Sequence, residues 1–544
     1  MTERAERGEG TFDVVVVGAG FAGLYMLHRL RKMGLRTRAY DIAGDVGGTW
    51  YWNRYPGARC DVESLNYSYS FDEDLQQEWN WTERFAGQSE ILSYISHVAD
   101  RFDLRRDIRF STRVTEAVFD ETAGQWAVAT DRGDRVRAPW LIMASGCLSL
   151  PRTPDFPGLS TFKGRWFHTG RWPHEKVSFS TERVGVIGTG ASGIQCIPMI
   201  AAEADRLHVF QRTPSFSLPA RNAPMDKRHE ADIKGRYAAY RKEGLETGSG
   251  VVRDKVVAET PLALSEEERN AAFERLWQKG GTGFTKAFAD IPFNKQSNDI
   301  AADFVRQKIR STVKDPAVAA LLSAQTDPIG TRRVSLDTNY FETFNRANVT
   351  LVDVKSDPID EITASGIRTR SAQYDLDTIV FATGYDAITG PLLDLELVGR
   401  DGLRLRDKWR DGPRTYLGLM TAGFPNLFTI TGPGSPSVLT NMVVSIEQHV
   451  DFICGLLEHA RTNGASVIEA AEEAEGAWVQ RVNEVAGRTL HVTANSWYLG
   501  ANVPGKPRIF MPFVGGFHVY RRICQEIADT GYTGFVMDRE KAAA

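Results

Sequence analysis

Two short apolar runs in the sequence each lead into a glycine-rich turn and then into a segment with helical spacing of apolar residues. The first run begins at Val14 and ends at Gly18, and the second begins at Val184 and ends at Gly188. A short β-branched run predicts a buried strand, and apolar residues three and four positions apart predict an amphipathic helix. That helical spacing occurs after both turns, at Leu24, Leu27 and Leu30 and again at Ile194, Ile197, Ile200 and Ala201. The same strand–turn–helix unit is therefore predicted twice.

The glycines of both turns follow the pattern G-x-G-x-x-G. In dinucleotide-binding units the first glycine permits the tight turn, the second lets the backbone approach a pyrophosphate, and the third lets helix and strand pack closely. The pyrophosphate then faces the helix N-terminus. We therefore predict two dinucleotide sites, with Gly18, Gly20 and Gly23 in the first and Gly188, Gly190 and Gly193 in the second.

The residue that ends the second strand of each unit indicates which nucleotide binds. At this position an acid binds a ribose diol, whereas an arginine receives a 2′-phosphate. Asp41 ends the strand in the first unit, which fits the unphosphorylated ribose of FAD or NAD. Arg212 and Thr213 stand there in the second unit and offer a guanidinium and a hydroxyl to a 2′-phosphate. We predict tightly bound FAD in the first site and exchangeable NADPH in the second, because a flavin passes hydride equivalents to a further acceptor.

Two further apolar strands, at residues 141–146 and 378–384, are typical of those that close such units. A capping-box sequence from Ser265 to Glu268 predicts a helix within the stretch that separates the second unit from its closing strand. We predict an α/β fold with two Rossmann-like dinucleotide-binding domains and a helical insertion. The predicted boundaries are 10–140 and 387–540 for the FAD domain, 152–220 and 335–380 for the NADPH domain, 221–334 for the insertion, and 141–151 and 381–386 for the linkers.

Composition and charge restrict the class of protein. The chain has 544 residues, enough for three to four domain-sized units. Its net charge of −4 gives no bulk attraction for nucleic acid. The 5 cysteines are isolated, which excludes the redox pair of the disulfide reductases and favours a reducing, cytoplasmic compartment. The longest apolar stretch near the N-terminus, Val14 to Leu27, is too short to span a bilayer. We expect a monomer or weak oligomer without membrane or nucleic-acid partners.

Two longer motifs concern the reaction. The first has the form F-x-G-x-x-x-H-x-x-x-W-P and contains Phe162, Gly164, His168, Trp172 and Pro173. The second has the form G-G-x-W-x-x-x-x-Y-P-G-x-x-x-D and contains Gly48, Trp50, Tyr55 and Asp61. In these motifs, and in their order around the two glycine turns, the sequence resembles the type I Baeyer-Villiger monooxygenases. It is most similar to the members that act on phenylacetone and on steroids, and the resemblance covers nearly the whole chain.

The resemblance implies an NADPH- and O₂-dependent flavoprotein that converts ketones to esters or lactones through a C4a-peroxyflavin. It implies that Arg333 is the catalytic arginine and that Asp61 is the carboxylate that orients it. A fixed guanidinium suits this role, because the peroxide and its ketone adduct are anionic. The same resemblance places Arg332 at the NADPH 2′-phosphate, together with Arg212 and Thr213.

Further roles follow from the same resemblance. Gly48, Trp50 and Tyr55 are expected to contact cofactor, and Trp497 to lie near NADP and the substrate. His168 is expected to couple the two nucleotide domains, with Trp172 packing the linker, because it is distant in sequence from both glycine turns. The substrate pocket is expected to include Pro436, Ser437, Val438 and Leu439.

Two alternatives stay open at this stage. A flavin-dependent N- or S-hydroxylating monooxygenase shares the region around His168 but lacks Trp172 and Pro173 and the arginine segment. A non-catalytic flavoprotein that senses NADPH would leave Asp61 and Arg333 without a role. No metal site is expected, because His168 and His174 have no companion ligands in the sequence. The expected partners are a small-molecule ketone and O₂.

Overall fold

The structure is a computed structural model that describes residues 10–539, so residue 540 of the predicted FAD domain lies outside it. Val14 and Val16 pack on one side of the first nucleotide sheet and Val15 packs on the other, and all three are fully buried. Burial on both sides explains why the run is continuously apolar. This first nucleotide sheet is parallel, in the strand order Leu427–Thr429, Trp140–Met143, Val14–Val17, Thr37–Tyr40 and Ile108–Arg109.

The second glycine turn starts from a second parallel sheet. Its strand order is Val349–Asp353, Arg206–Gln211, Arg183–Ile187, Thr378–Phe381 and Arg165–His168. The helix after each turn begins directly after the middle glycine of the pattern, at Phe21 in the first unit and at Ala191 in the second. Both predicted strand–turn–helix units and the α/β class are confirmed.

The remaining strands form smaller sheets around these two. Trp126 belongs to the largest of them and packs with Val15 on the outer side of the first nucleotide sheet. That sheet has the order Gly10–Thr11, Arg135–Ala138, Gln125–Thr130, Val114–Asp120 and Glu396–Val398. The others pair Ser217–Pro219 with Ser335–Asp337, pair Ala465–Ala470 with Phe535–Arg539, and join Ile359–Thr363, Gly366–Thr369 and Gln373–Asp375.

The helices cover both nucleotide sheets and fill the insertion. In the parts that surround the first sheet they are Phe21–Lys32, Thr49–Trp52, Glu73–Glu78, Gln88–Arg101, Gly390–Leu393, Leu405–Lys408, Met442–Thr462, Glu472–Gly487 and Phe517–Asp529. Those beside the second sheet are Ala191–Glu203 and Tyr340–Thr343. Between residues 221 and 334 they are Lys227–Gly235, Tyr237–Leu245, Glu266–Lys279, Lys295–Thr312 and Pro316–Leu322.

The helices of the insertion divide between two cores. Ser265 caps the helix that begins at Glu266, and its hydroxyl accepts the Glu268 amide in the predicted capping box. This helix packs with the second nucleotide sheet through Phe273. Ile233, by contrast, packs in the core of the first nucleotide sheet. The insertion therefore packs against the cores of both nucleotide sheets.

The predicted linkers begin too early. The strand Trp140–Met143 pairs with Val14–Val17 on one side and with Leu427–Thr429 on the other, so residues 141–143 belong to the first sheet. Phe381 likewise ends a strand of the second sheet. In the part of the chain that the structure describes, no helix combines the length and the apolar character needed to cross a membrane.

Candidate active site

Both glycine turns open onto one cavity of about 1220 Å³. Its wall is built from the loops that follow the parallel strands, the usual position of ligands in open α/β sheets. The predicted site residues that line it are Gly18, Gly20, Asp41, Gly48, Trp50, Tyr55, Asp61, Gly188, Gly190, Arg212, Arg332, Arg333, Val438 and Trp497, with Thr213 beside Arg212. Residues predicted for two nucleotides and for the reaction are thus brought together.

The two turns have backbone shapes that require glycine. Gly18 has φ +112°, and a Cβ there would lie 2.4 Å from the Ala144 carbonyl oxygen. Gly188 has φ +108°, and a Cβ would lie 2.4 Å from the Ala382 carbonyl oxygen. A Cβ on Gly190 would meet no atom within 4 Å, so it would occupy the open space of the cavity. These turns fit the pyrophosphates of two dinucleotides.

The third glycine of each pattern acts in packing. A Cβ on Gly23 would lie 1.9 Å from the Gly18 carbonyl oxygen, and one on Gly193 would lie 2.2 Å from the Gly188 carbonyl oxygen. Each helix can therefore approach its turn only because this position lacks a side chain.

Asp41 is partly buried and directly follows the strand Thr37–Tyr40. The amide of Ala19 donates to its Oδ2 over 2.6 Å, and the amide of Ala43 donates to its Oδ1 over 2.8 Å. Burial raises the pKa of Asp41, and these two amide bonds oppose that rise. The carboxylate is fixed beside the first glycine turn, which suits a ribose hydroxyl as a further donor.

The predicted 2′-phosphate site holds two arginines that repel each other. Burial and the charge of Arg212 lower the pKa of Arg332, whereas Asp327 raises it. Arg332 Nη2 lies 2.6 Å from Asp327 Oδ2, but its Nε is buried without a hydrogen-bond partner among the described residues. The Thr189 hydroxyl donates to the Thr213 carbonyl over 3.2 Å and holds the loop. A phosphate bound beside the two guanidinium groups would offset this repulsion.

Arg333 and Asp61 form an ion pair in the wall of the cavity. Arg333 Nε donates to Asp61 Oδ2 over 3.1 Å, and the Leu336 amide approaches Asp61 Oδ1 at 3.4 Å. The Asp61 side chain is 8% exposed, while that of Arg333 is 36% exposed, toward the cavity. Burial lowers the pKa of Arg333, but the charge of Asp61 and its hydrogen bond outweigh this effect, and the pKa lies above its ordinary value. Arg333 is thus a permanent cation with a fixed orientation.

The second motif joins the two nucleotide units. The Tyr55 hydroxyl donates to Gln195 Oε1 over 2.9 Å, which links it to the helix after the second glycine turn. Trp50 Nε1 donates to the Tyr67 hydroxyl over 3.2 Å. Gly48, with φ +54°, approaches Gly20 so closely that a Cβ would lie 3.0 Å from its Cα. This motif packs against the first glycine turn and reaches across to the second.

His168 lies in the protein interior, where it ties together the chain segments that run between the domains. Its Nδ1 accepts the Gly170 amide over 3.0 Å, so the proton sits on Nε2, which lies 3.2 Å from both the Arg152 carbonyl and the Thr383 hydroxyl. Burial lowers the pKa of His168, and the ring is neutral. These contacts agree with the predicted coupling role, which stays a prediction.

The rest of the first motif is packed rather than open to the cavity. Trp172 contacts Phe167 and Phe179, with ring centroids 5.2 and 6.2 Å apart. Phe162 packs against the core of the second nucleotide sheet, and a Cβ on Gly164 would lie 2.3 Å from the Asp377 carbonyl oxygen. Pro173 follows Trp172 and is partly buried.

The predicted substrate segment contributes less than expected. Val438 lines the cavity, whereas the Ser437 hydroxyl is buried and lies 2.9 Å from the Ser435 hydroxyl. Pro436 precedes the 3₁₀ turn Ser437–Leu439 and is buried, and Leu439 packs beside Trp497 in one apolar cluster. Pro436 and Ser437 do not line the cavity, although both were predicted to do so. The sequence of a loop does not indicate which of its side chains turn inward.

Several cavity residues were not predicted. Arg171 stacks over Trp52, with its Cζ 4.2 Å from the ring centroid, and both line the cavity beside Asp41. The sequence signal was available, because Arg171 lies within the motif between His168 and Trp172. Cys147 also lines the cavity. Among residues 10–539 there is no cluster of side chains able to hold a metal ion.

Comparison with known proteins identifies relatives over the full length. Residues 12–227 match the model of a family described as flavin-binding monooxygenase-like. An acetone monooxygenase (methyl acetate-forming) from Gordonia sp. (strain TY-5) is 44% identical over 97% of this chain and 99% of its own length. A phenazine N-monooxygenase from Lysobacter antibioticus is 40% identical over 98% of both chains.

Solved structures give the same result. An oxidized steroid monooxygenase bound to NADP superposes with a TM-score of 0.93 at 53% identity, covering 97% of this chain and 99% of that one. The OTEMO complex with FAD and NADP superposes with a TM-score of 0.93 at 41% identity, again over 97% and 99%.

Proposed function

This chain belongs to the Baeyer-Villiger monooxygenases, since a Baeyer-Villiger monooxygenase from Pseudooceanicola batsensis is 43% identical over 99% of this chain, and from this membership we propose how its own residues use FAD, NADPH and O₂ to convert ketones into esters or lactones. The observation that carries the proposal is the Arg333–Asp61 pair in a cavity shared by two dinucleotide turns.

The residues of the first unit hold FAD and those of the second hold NADPH. Gly18 and Gly20 receive the FAD pyrophosphate, and Asp41 receives its ribose. Arg212 and Arg332 receive the 2′-phosphate, which distinguishes NADPH from NADH. When bound, the flavin accepts hydride from NADPH and activates O₂ for transfer of one oxygen atom to the ketone, the other leaving as water.

Arg333 stabilises the negative charge that develops on oxygen when the ketone carbonyl is attacked. The guanidinium keeps its proton throughout, since its pKa lies above the ordinary value. Asp61 binds Nε and so leaves the other nitrogens of the guanidinium for the reacting oxygen. A donor that is oriented before the reaction starts lowers the barrier more than one that must reorient.

The ionisable side chains next to Arg333 and Asp61 are uncharged at neutral pH. Burial raises the pKa of Tyr498 to about 12 and that of the Cys147 thiol to about 11, and Arg333 opposes both shifts. Both groups are therefore protonated at neutral pH, and Arg333 is the charged group of this part of the wall that faces the substrate. Trp497 lines the cavity next to Tyr498, with ring centroids 4.3 Å apart, and bounds the substrate space.

The test separates hydride transfer from oxygen transfer. The holoenzyme is reduced anaerobically with NADPH and then mixed with O₂ and phenylacetone, cyclohexanone or a 20-ketosteroid, and products are identified by mass spectrometry. Arg333→Ala should retain flavin reduction and lose ester formation. Arg137→Ala, which breaks an exposed pair with Asp120, should retain both and serves as the control. Ester formation by Arg333→Ala at the wild-type rate would remove Arg333 from this role.

Heteroatom oxidation is the second candidate function. The phenazine N-monooxygenase at 40% identity supports it. A nucleophilic nitrogen or sulfur needs no anionic attack on a carbonyl, so Arg333→Ala should impair sulfoxidation of a thioether less than ester formation. An N-oxide or sulfoxide formed with no ester from any ketone would favour the second candidate.

Compartment and assembly are part of the proposal. We propose a cytoplasmic monomer or weak oligomer, and the cysteines support the compartment, because Cys60, Cys147, Cys196, Cys454 and Cys524 are buried free thiols. Size-exclusion chromatography with light scattering measures the assembly, and cell fractionation measures the compartment.

A further inference from the structure

Asp327 uses its two carboxylate oxygens to hold two different parts of the cavity wall. Arg332 Nη2 lies 2.6 Å from Asp327 Oδ2, and the Asn495 amide donates to Asp327 Oδ1 over 3.3 Å. The Asp327 side chain is 16% exposed, and all three residues line the cavity. Asn495 lies 168 positions beyond Asp327 in the chain, just before Trp497. One carboxylate therefore joins an arginine of the predicted 2′-phosphate site to the segment that carries Trp497.

The stretch from Asp327 to Arg332 is anchored to the helix Lys295–Thr312. The Ile329 amide donates to Asn298 Oδ1 over 2.9 Å, and Asn298 Nδ2 donates back to the Ile329 carbonyl over 2.9 Å. Asn298 belongs to that helix and is fully buried. Because both bonds go to the backbone two residues beyond Asp327, the carboxylate has a fixed origin.

Asn495 determines where the turn Trp497–Leu499 begins. Arg508 Nη1 donates to Asn495 Oδ1 over 2.8 Å, so the Asn495 side chain is held as well as its amide. The next residue, Ser496, is 1% exposed, and its hydroxyl oxygen accepts the Tyr498 amide over 3.2 Å, which caps the turn. A shift of the Asn495 backbone would therefore move the start of the turn that carries Trp497.

The two neighbouring arginines of this wall are fixed by separate acids. Arg333 Nε lies 3.1 Å from Asp61 Oδ2, whereas Arg332 is held by Asp327. A guanidinium has several N–H donors, so the bond to Asp327 leaves Arg332 able to bind a phosphate as well. Asp327 additionally accepts the Asn495 amide. It is thus placed to act on the nucleotide and on Trp497 at the same time.

We propose that Asp327 is a positioning residue that fixes Arg332 for the 2′-phosphate and Asn495 for the turn of Trp497, and that it thereby couples recognition of the phosphate to the position of Trp497. The proposal rests on the proposed NADPH site at Arg212 and Arg332. Such coupling is reciprocal, because a ligand that fixes Arg332 also fixes the carboxylate that Asn495 shares with it.

An acid beside a phosphate site acts through its charge and through orientation, and the two effects have opposite signs. Through charge alone Asp327 repels the phosphate, so its removal would tighten the binding of NADP⁺. Through orientation it holds Arg332, which is 30% exposed and repelled by Arg212, and which would otherwise turn toward solvent. We expect orientation to dominate, because solvent screens the charge at a partly exposed site.

The first measurement is the affinity for the oxidised nucleotides. NADP⁺ and NAD⁺ are titrated into the oxidised holoenzyme, and flavin absorbance gives both dissociation constants. Asp327→Ala should weaken the binding of NADP⁺ by about fivefold or more and leave that of NAD⁺ nearly unchanged. In the Arg332→Ala background the same substitution should have no further effect, because Asp327 acts through Arg332. Glu267→Ala, which changes an exposed acid of the insertion, is the matched control and should change neither affinity.

The second measurement is amide hydrogen exchange around residue 495, which needs no turnover. Asp327→Ala should speed this exchange by about fivefold or more, because the Asn495 amide loses its acceptor. Asp327→Asn should keep the protection, since its oxygen still accepts, but should weaken the binding of NADP⁺, since the charge that holds Arg332 is lost. In the wild type, saturating NADP⁺ should slow the exchange more than saturating NAD⁺, and in Arg332→Ala the two nucleotides should have equal effects.

The outcomes separate this proposal from the one on which it rests. Flavin content reports whether each variant is folded, and Asp327→Asn, which keeps the shape of the side chain, replaces Asp327→Ala if the latter does not bind flavin. Tighter or unchanged binding of NADP⁺ by the Asp327 variants would overturn the proposal, as would equal exchange with NADP⁺ and NAD⁺ in the wild type. Unchanged binding of NADP⁺ by Arg332→Ala would instead overturn the proposed 2′-phosphate site.

Discussion

Arg333 Nε lies 3.1 Å from Asp61 Oδ2, although the two residues are 272 positions apart in the chain. Asp61 ends a motif that packs on the first nucleotide sheet, and Arg333 lies at the end of the insertion. The pair therefore forms only when both domains and the insertion are assembled. It gives the cavity a cation whose direction is fixed before substrate arrives.

Replacing Asp61 should disorder that cation without removing it. In Asp61→Asn the amide keeps the shape but no longer attracts the guanidinium, so we expect ester formation to fall by about 10²–10³. Reduction by NADPH should remain near wild type, because it does not use this pair. Stopped-flow absorbance separates the two half-reactions. The rate of ester formation by Arg333→Lys should lie between those of the wild type and Asp61→Asn or below both, since a lysine keeps the charge but lacks the planar fork. Full ester formation by Asp61→Asn would contradict an orienting role.

The 2′-phosphate contacts should appear as discrimination between NADPH and NADH. Arg212→Ala and Arg332→Ala should each weaken the binding of NADPH by about tenfold or more. They should leave the affinity for NADH nearly unchanged, because NADH lacks the phosphate. Anaerobic titration of flavin reduction measures both affinities. Arg206→Ala, an exposed arginine of the second nucleotide sheet, is the control. Equal loss for the two nucleotides would show that the arginines act on stability instead.

The sequence was most informative where local chemistry decides structure. A positive φ at Gly18 and Gly188 and a missing side chain at Gly23 are local requirements, so the glycine pattern predicted both units correctly. The linker boundary was less predictable. Residues 141–143 belong to the sheet because strands from near residues 14 and 427 flank them, and an apolar run does not reveal its partners.

The site could be predicted only in part for the same reason. The motifs predicted Arg333 and Asp61, and the structure brings them together. The direction of the Ser437 side chain depends on its contact with Ser435, and no periodicity in the sequence encodes that contact.

The cysteines should be inert in the folded protein. Burial raises the pKa of Cys147 to about 11 and that of Cys60 to about 12, so almost no thiolate exists at pH 7.5. Iodoacetamide should therefore leave both unmodified in the native enzyme and modify them after unfolding. Peptide mass spectrometry gives the extent at each site. Rapid labelling of native Cys147, which lines the cavity, would contradict its protonated state.

Arg171 should strengthen FAD binding. It stacks on Trp52 and lines the cavity near Asp41, and burial followed by repulsion from Arg113 lowers its pKa. A bound FAD brings phosphate charge into the same cavity, so we expect Arg171→Ala to weaken the affinity for FAD by about tenfold. Arg171→Lys should lose less, because the charge remains. Flavin fluorescence on titration of apoenzyme measures the dissociation constant. Unchanged affinity in Arg171→Ala would limit this residue to packing.

Acid should destabilise the protein through buried neutral histidines, of which His449 is the clearest. It is fully buried, its Nδ1 accepts the Thr431 amide over 3.0 Å, and burial lowers its pKa to about 3. Its ordinary pKa is 6.5, so the stabilisation is fully present above pH 6.5 and decreases as pH falls, because the unfolded chain binds a proton that the folded chain does not. At pH 5 this histidine alone should lower the free energy of unfolding by about 2 kcal/mol relative to its value above pH 6.5.

Substitution tests that contribution directly. His449→Gln should lower stability at pH 7.5, because the buried contact is altered, but it should flatten the dependence on pH. His229→Gln, which changes an exposed histidine, should retain the wild-type slope. Urea unfolding of each holoenzyme at pH 7.5, 6 and 5, followed by tryptophan fluorescence, gives the free energy of unfolding at each pH. The change of that free energy with pH is the slope for the wild type and for each of the two variants. An unchanged slope in His449→Gln would mean that the folded protein protonates this histidine as readily as the unfolded chain does. The Thr431 contact would then have to break at a pH near 6.5.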